Sequence, residues 1–302
     1  MSSSSELLSA DTTMGAVTLL VGDLDAMTRY YRDAVSLSVL SEAYGTVTLG
    51  RGTTPVIVLT HAPELKHASP TDAGLFHTAI LFDTEEALAA SVYSVAQKHP
   101  NTFTGSSDHL VSKAFYFTDP EGNGVELYWD RERSFWSWTH GSVEMSTLFL
   151  DPHAFLQEHL SETAVADPLI GGARVGHVHL QVGDVATARD FYVNQLGFEA
   201  TAQLAGSALF VSAGGYHHHM AMNTWNSKGA GPRQRALGLS NINIAVPKAD
   251  DLGDLGERMT HHGIQIRNDG LSVTFDDPWA NTITVSAAAP SMASTRNITE
   301  GS

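Results

Sequence analysis

Two histidines and one glutamate, His77, His177 and Glu126, stand at matched places in an internally repeated sequence. Where one copy of the repeat has His177, another has Ala16, 161 positions earlier; His77 is matched by Asn241 and Glu126 by Thr284. A lone histidine on a strand is more often a satisfied core residue than a ligand. Here the ligand types occupy equivalent positions in two copies, and the other two copies are blank. Two imidazoles and one carboxylate are the donors of a facial triad, which leaves coordination positions open for substrate and dioxygen on a divalent ion such as Fe(II). A single site is expected. Groups able to move protons fall in the same copies: His109, Tyr116, and the run His217, His218 and His219. Side chains alternate faces along a strand, so His218 is expected to point away from the side taken by His217 and His219. A histidine beside the ion can act as acid or base near neutral pH, and a tyrosine can donate a hydrogen bond to an anionic oxygen.

The elements that must position these residues form four units, each a strand, a helix and returning strands. Unit one spans about 14 to 61, with strand GAVTLLV and helix DLDAMTRYYRDAV; unit two spans about 75 to 130, with strand HTAILF and final strand GVELYW. Unit three, about 175 to 225, holds GHVHLQV and HHHMAMNTW, and unit four, about 237 to 287, holds SNINIAV and NTITVSA. MGAVTLLVGD matches VGHVHLQVGD, and DPEGNGVELY at 119–128 matches DPWANTITVS at 277–286, so the chain is a tandem duplication of a paired unit. The domain division is a disordered tail at 1–13, a first domain at 14–130, a connector at 131–174, a second domain at 175–287 and a disordered tail at 288–302. The connector carries Phe135, Trp136 and Trp138, which read as its own packing, and His261 and His262, ahead of Gly263, read as a helix C-terminus.

With 302 residues, 42% of them hydrophobic, the chain can bury a sizeable core. Its formal charge of -16, without a basic run, argues against binding nucleic acid or an anionic membrane surface. There is no cysteine, so a metal site must use histidine and carboxylate. The N-terminal stretch lacks the features of a secretory signal and no apolar run reaches membrane-spanning length, so a cytoplasmic location is expected.

The unit pattern, GHVHLQVGD with its FY-containing helix, and DPEGNGVELY resemble the vicinal oxygen chelate superfamily of glyoxalases, bleomycin-binding proteins and extradiol dioxygenases. The two-domain size and GGYHHHMAMNTW are most similar to catechol 2,3-dioxygenase proteins. The resemblance implies an α+β fold of four βαβββ units in two tandem domains, with mixed sheets curled into a metal-binding cup. It implies metal ligation by His77, His177 and Glu126, an acid–base role for His218, and substrate-side roles for His109 and Tyr116. The implied activity is extradiol ring cleavage of a small aromatic diol with O2, using Fe(II), with Mn(II), Zn(II) or Ni(II) as other candidates; a homodimer is compatible. The alternatives are a glyoxalase-type lyase or isomerase, with His219 as a fourth ligand, and a binding protein without turnover. One departure stands out: the two-domain extradiol pattern keeps its ligands in one half, whereas these are divided between units two and three. Those units are therefore expected to face one another across a shared cup, with units one and four as the degenerate partner.

Overall fold

The computed structural model describes residues 6–287. Unit one consists of β1 (Thr13–Val21), α1 (Leu24–Arg29), β2 (Ser38–Ala43), β3 (Thr46–Arg51) and β4 (Thr54–His61). Unit two has β5 (Gly74–Phe82), α2 (Glu85–Lys98), β6 (Phe103–Asp108), β7 (Ser112–Thr118) and β8 (Gly124–Asp130). The connector forms a short hairpin of β9 (Trp138–Thr139) and β10 (Ser142–Val143), an edge strand β11 (Leu148–Phe149), and helices α3 (Pro152–His159) and α4 (Glu162–Ala166). Unit three is β12 (Ala173–Gln181), α5 (Val185–Arg189), β13 (Glu199–Leu204), β14 (Ala208–Ser212) and β15 (Met220–Asn223). Unit four is β16 (Gly238–Val246), α6 (Ala249–His261), β17 (Arg267–Asn268), β18 (Ser272–Asp276) and β19 (Thr282–Ala287). The fold is thus α+β with four βαβββ units, as the sequence leads one to expect.

The first strand of each unit decides which units share a sheet. Strand β5 pairs antiparallel with β12, joining units two and three into a nine-stranded sheet ordered β11-β6-β7-β8-β5-β12-β15-β14-β13. Strand β1 pairs antiparallel with β16, joining units one and four into an eight-stranded sheet ordered β17-β18-β19-β16-β1-β4-β3-β2. Period-two alternation then sorts each strand between two environments. On β8, Val125 and Leu127 enter the main apolar core; on β12, Val178 and Leu180 do so. Glu126, His177 and His179 take the alternate positions, buried but outside that core.

The repeat also supplies matched braces. In both halves the helix after the first strand ends in a π turn, Tyr30–Ala34 and Asp190–Gln195. Each presents a buried tyrosine: the Tyr31 hydroxyl donates to Asp119 at 3.1 Å and the Tyr192 hydroxyl to Asp277 at 2.9 Å. Asp119 and Asp277 then accept from the backbone and side chain of Asn123 and Asn281, fixing the turn before each unit's last strand.

The N-terminal expectation needs correction. Within residues 1–13, expected as a tail, Leu8 is buried in the core, its N–H donates to the Gly197 carbonyl at 2.8 Å, and β1 already begins at Thr13. One apolar side chain with a backbone partner suffices to anchor a polar segment, and a single residue leaves no periodic signal. The rest of the expected tails, residues 1–5 and 288–302, lies outside the described residues. Among the described residues no helix is long and apolar enough to cross a membrane.

Candidate metal centre

Sheet register brings the three donors together. Tyr116 on β7 pairs with Glu126 on β8, Glu126 with Ala79 on β5, and Ala79 with His177 on β12, so one row crosses four neighbouring strands. Adjacent strands lie about 4.8 Å apart, which leaves Glu126 and His177 separated by the small Ala79 and able to meet above it. His77 stands one pleat along β5, paired with Gly124 on one side and His179 on the other. Two glycines make the approach feasible. A Cβ on Gly124 would lie 2.1 Å from the Phe76 carbonyl oxygen, and one on Gly176 would lie 1.7 Å from the Tyr128 hydroxyl.

Ligand atoms of His77, Glu126 and His177 lie within 4.8 Å of one another, and all three residues are buried. Both imidazoles aim Nε2 at the same carboxylate oxygen: Glu126 Oε2 is 2.9 Å from His77 and 3.2 Å from His177. Yet His77 Nε2, buried and close to that oxygen, has no hydrogen-bond partner among the described residues, and neither does His177 Nδ1. His177 Nε2 hydrogen-bonds to Glu126 Oε2, whereas His77 Nε2 is close to the same oxygen without hydrogen-bond alignment, and this convergence of donors fits a cation. Burial alone would push the Glu126 carboxyl up, but the facing His177 and His77 imidazoles outweigh it and hold it well below the usual range. Burial pushes His177 down, against the pull of Glu126. An ionised carboxylate and a neutral imidazole are the protonation states in which these groups bind metal.

A cavity of about 1210 Å³ opens onto the trio, and His109, Tyr116 and His218 line it as well. All six residues to which the resemblance gives a ligand, acid–base or substrate-side role therefore share one cavity. The His218 ring lies 4.1 Å from that of His177, and burial, followed by neighbouring histidines, pushes its pKa well below the ordinary histidine value. His109 Nδ1 lies 2.7 Å from the Ser146 carbonyl oxygen, which can only accept, so Nδ1 carries a proton and donates. His109 Nε2 is 2.6 Å from the Tyr116 hydroxyl. Burial, reinforced by Glu126, raises the Tyr116 pKa and keeps it a phenol.

The competing position, His219, is turned elsewhere. Its Nδ1 accepts from the Ala213 N–H at 3.3 Å and lies 3.0 Å from the Ser212 hydroxyl, and its ring packs near Phe198 and Tyr216. The expected alternation needs correction: the HHH run lies just before β15 and not on it, so His217 turns to His218, with Nδ1 atoms 2.7 Å apart, while His219 turns away and His218 alone of the three lines the cavity. The structure adds His179, which sequence reasoning passed over. It lines the cavity, its ring is 4.9 Å from that of His77, and its Nε2 is 3.0 Å from Asn223 Nδ2. Its position two residues after His177 was the available signal, since such residues share a strand face.

A sequence model of the Glyoxalase/Bleomycin resistance protein/Dioxygenase superfamily matches residues 13–127 and 174–285. The chain is 34% identical over 275 residues to a Bacillus subtilis (strain 168) protein named catechol-2,3-dioxygenase, covering 89% of this chain and 94% of that one. Among solved structures, one from Bacillus subtilis subsp. subtilis str. 168 superposes with a TM-score of 0.61 at 15% identity, covering 92% of this chain and 86% of that one. Glyoxalase I from Zea mays superposes with a TM-score of 0.55 at 15% identity, covering 92% of each. Those two structural likenesses speak to fold alone. The two matched segments take in both halves of the duplication, and the chain belongs to the Glyoxalase/Bleomycin resistance protein/Dioxygenase superfamily.

Proposed function

We propose that the protein is a metal-dependent extradiol dioxygenase that opens the ring of a catecholic substrate with O2. The observation that carries this reading is the convergence of His77, His177 and Glu126 on one point at the base of a substrate-sized cavity. The 34% identical relative named catechol-2,3-dioxygenase supports the choice of reaction. Two histidines and a carboxylate suit Fe(II), which in such a site supplies Lewis acidity and open positions for a diol and dioxygen.

The chain's own groups have separable tasks. His77, His177 and Glu126 would hold the ion. His218, neutral and at the cavity wall, takes a proton from a substrate hydroxyl and returns it later. Tyr116 faces the carboxylate end of the same row. With its proton on Nδ1, His109 accepts the Tyr116 hydroxyl hydrogen at Nε2 and holds that phenol at the cavity, where it can turn to donate to an anionic substrate oxygen. Phe76, with rings of His179 and Trp225 about it, makes the wall an apolar face for an aromatic ring.

The test is anaerobic reconstitution with Fe(II) followed by catechols and O2. A yellow ring-cleavage product is expected, with oxygen consumed one for one. Absence of product from a panel of substituted catechols, with one metal ion bound per chain, would overturn the reading. Turnover of a hemithioacetal with Zn(II) or Ni(II) and no oxygen would favour a glyoxalase-type reaction, which the orientation of His219 speaks against.

A further inference from the structure

A line of hydrogen bonds leads from the cavity wall into residues that do not line the cavity. His218 Nδ1 lies 2.7 Å from His217 Nδ1, and His217 Nε2 lies 2.9 Å from Asp130 Oδ1. The other Asp130 oxygen accepts from the Tyr216 hydroxyl at 2.7 Å. His217 is fully buried, closed in by the rings of Tyr216 at 4.1 Å and Trp136 at 5.2 Å. Asp130 lies four residues beyond Glu126, at the end of the same strand β8.

With both rings neutral, proton counting orders this line. A carboxylate only accepts, so the His217 nitrogen facing Asp130 carries a proton. A neutral His217 then has a bare Nδ1, and two bare nitrogens do not approach within hydrogen-bonding distance. The proton between the rings therefore belongs to His218 Nδ1. That leaves His218 Nε2 bare, and no protein group among the described residues bonds to it.

We propose that Asp130, acting through His217, is a positioning residue that holds His218 in the tautomer whose bare Nε2 serves the cavity as a base. Without the carboxylate, His217 can place its proton on either nitrogen, and His218 can be turned into a hydrogen-bond donor with its base nitrogen spent. The proposal rests on the dioxygenase reading for the use of that base, but the tautomer itself belongs to the metal-free chain.

The experiment pairs nitrogen-15 histidine NMR on metal-free protein with steady-state kinetics on the Fe(II) form. Wild-type protein is expected to show His217 protonated at Nε2, His218 protonated at Nδ1, and a through-hydrogen-bond coupling between the two Nδ1 atoms. Asp130→Ala should mix the tautomers and lower kcat by about 10- to 100-fold, the usual range for an orienting partner, with KM and metal content within about twofold. Tyr216→Phe removes the other bond to Asp130 and should leave tautomer and kcat near wild type. A wild-type His218 protonated at Nε2 overturns the proposal, as does an Asp130→Ala variant with unchanged tautomers and kcat. Equal losses in Asp130→Ala and Tyr216→Phe would reduce Asp130 to a packing role and also overturn it. Should Asp130→Ala fail to fold, the wild-type spectrum still decides. If wild-type protein cleaves no catechol, the dioxygenase reading fails while the NMR arm separately decides the tautomer.

Discussion

In the sheet of units two and three, Glu126, His77 and His177 turn toward one point and leave His77 Nε2 and His177 Nδ1 without hydrogen bonds among the described residues. In the sheet of units one and four, the matching positions close on themselves. The Thr284 hydroxyl donates to Asn241 Oδ1 at 2.9 Å, Asn241 Nδ2 donates to Asn243 Oδ1 at 3.1 Å, and Asn243 Nδ2 donates to the Ala16 carbonyl at 2.9 Å. Both sheets share the same unit plan and the same antiparallel join between first strands. What differs is whether the polar groups satisfy one another or stay open for a charged guest. Neutral amides and hydroxyls complete this half-buried network unaided, whereas an ionised carboxylate and converging imidazoles, buried, need a cation to complete theirs.

The largest effect is expected from Glu126→Gln, which removes the only acidic donor of the trio. Bound metal should fall from one ion per chain to near none and ring cleavage to background, read by elemental analysis and oxygen uptake; retained metal would break the contrast between the sheets. Next comes His218→Ala, with kcat expected to drop about 10³-fold while metal content holds.

Smaller effects sharpen the same comparison. Gly176→Ala drives a methyl to 1.7 Å from the Tyr128 hydroxyl, whereas the methyl of Gly15→Ala would meet the Asn243 Cβ at 2.9 Å. A cost of about 2 kcal/mol is expected for the first and a lesser one for the second, measured as unfolding midpoints. In the closed sheet, Thr284→Glu places a carboxylate beside Asn241 at a half-buried position with no cation to meet it. A loss of about 1 kcal/mol is expected in urea unfolding, without gain of a second metal ion. A stable variant with two ions would show that the closed sheet is only one residue from being a site. Tyr116→Phe deletes one hydrogen bond at the cavity and should reduce kcat about fivefold, since a single such bond contributes about 1 kcal/mol. An unchanged rate would assign Tyr116 to packing.

Much of this was legible in one dimension because duplication supplies its own control. Ala16, Asn241 and Thr284 mark where His177, His77 and Glu126 are substitutions on a shared frame, whereas the HHH run lies outside β15 and only the fold shows which of its rings meets the cavity. His179 was equally legible by its spacing from His177. Asp130 was not: its partner His217 lies 87 positions away, and nothing local to either residue announces the bond. Leu8 escaped for a similar reason: it and Leu7 are neighbours in a polar stretch, and only the fold buries one and exposes the other.

The sequence by itself determined the unit pattern, the residue types able to bind a divalent ion, and the copies that carry them, because local periodicity and internal comparison need no third dimension. Only the tertiary structure decided that β5 joins β12 and not β1, that Ala79 leaves room for Glu126 to reach His177, and that Asp130 stands behind His217. Those outcomes depend on strand pairing and register between distant segments, and a shift of one residue would have turned each of these side chains to the opposite face.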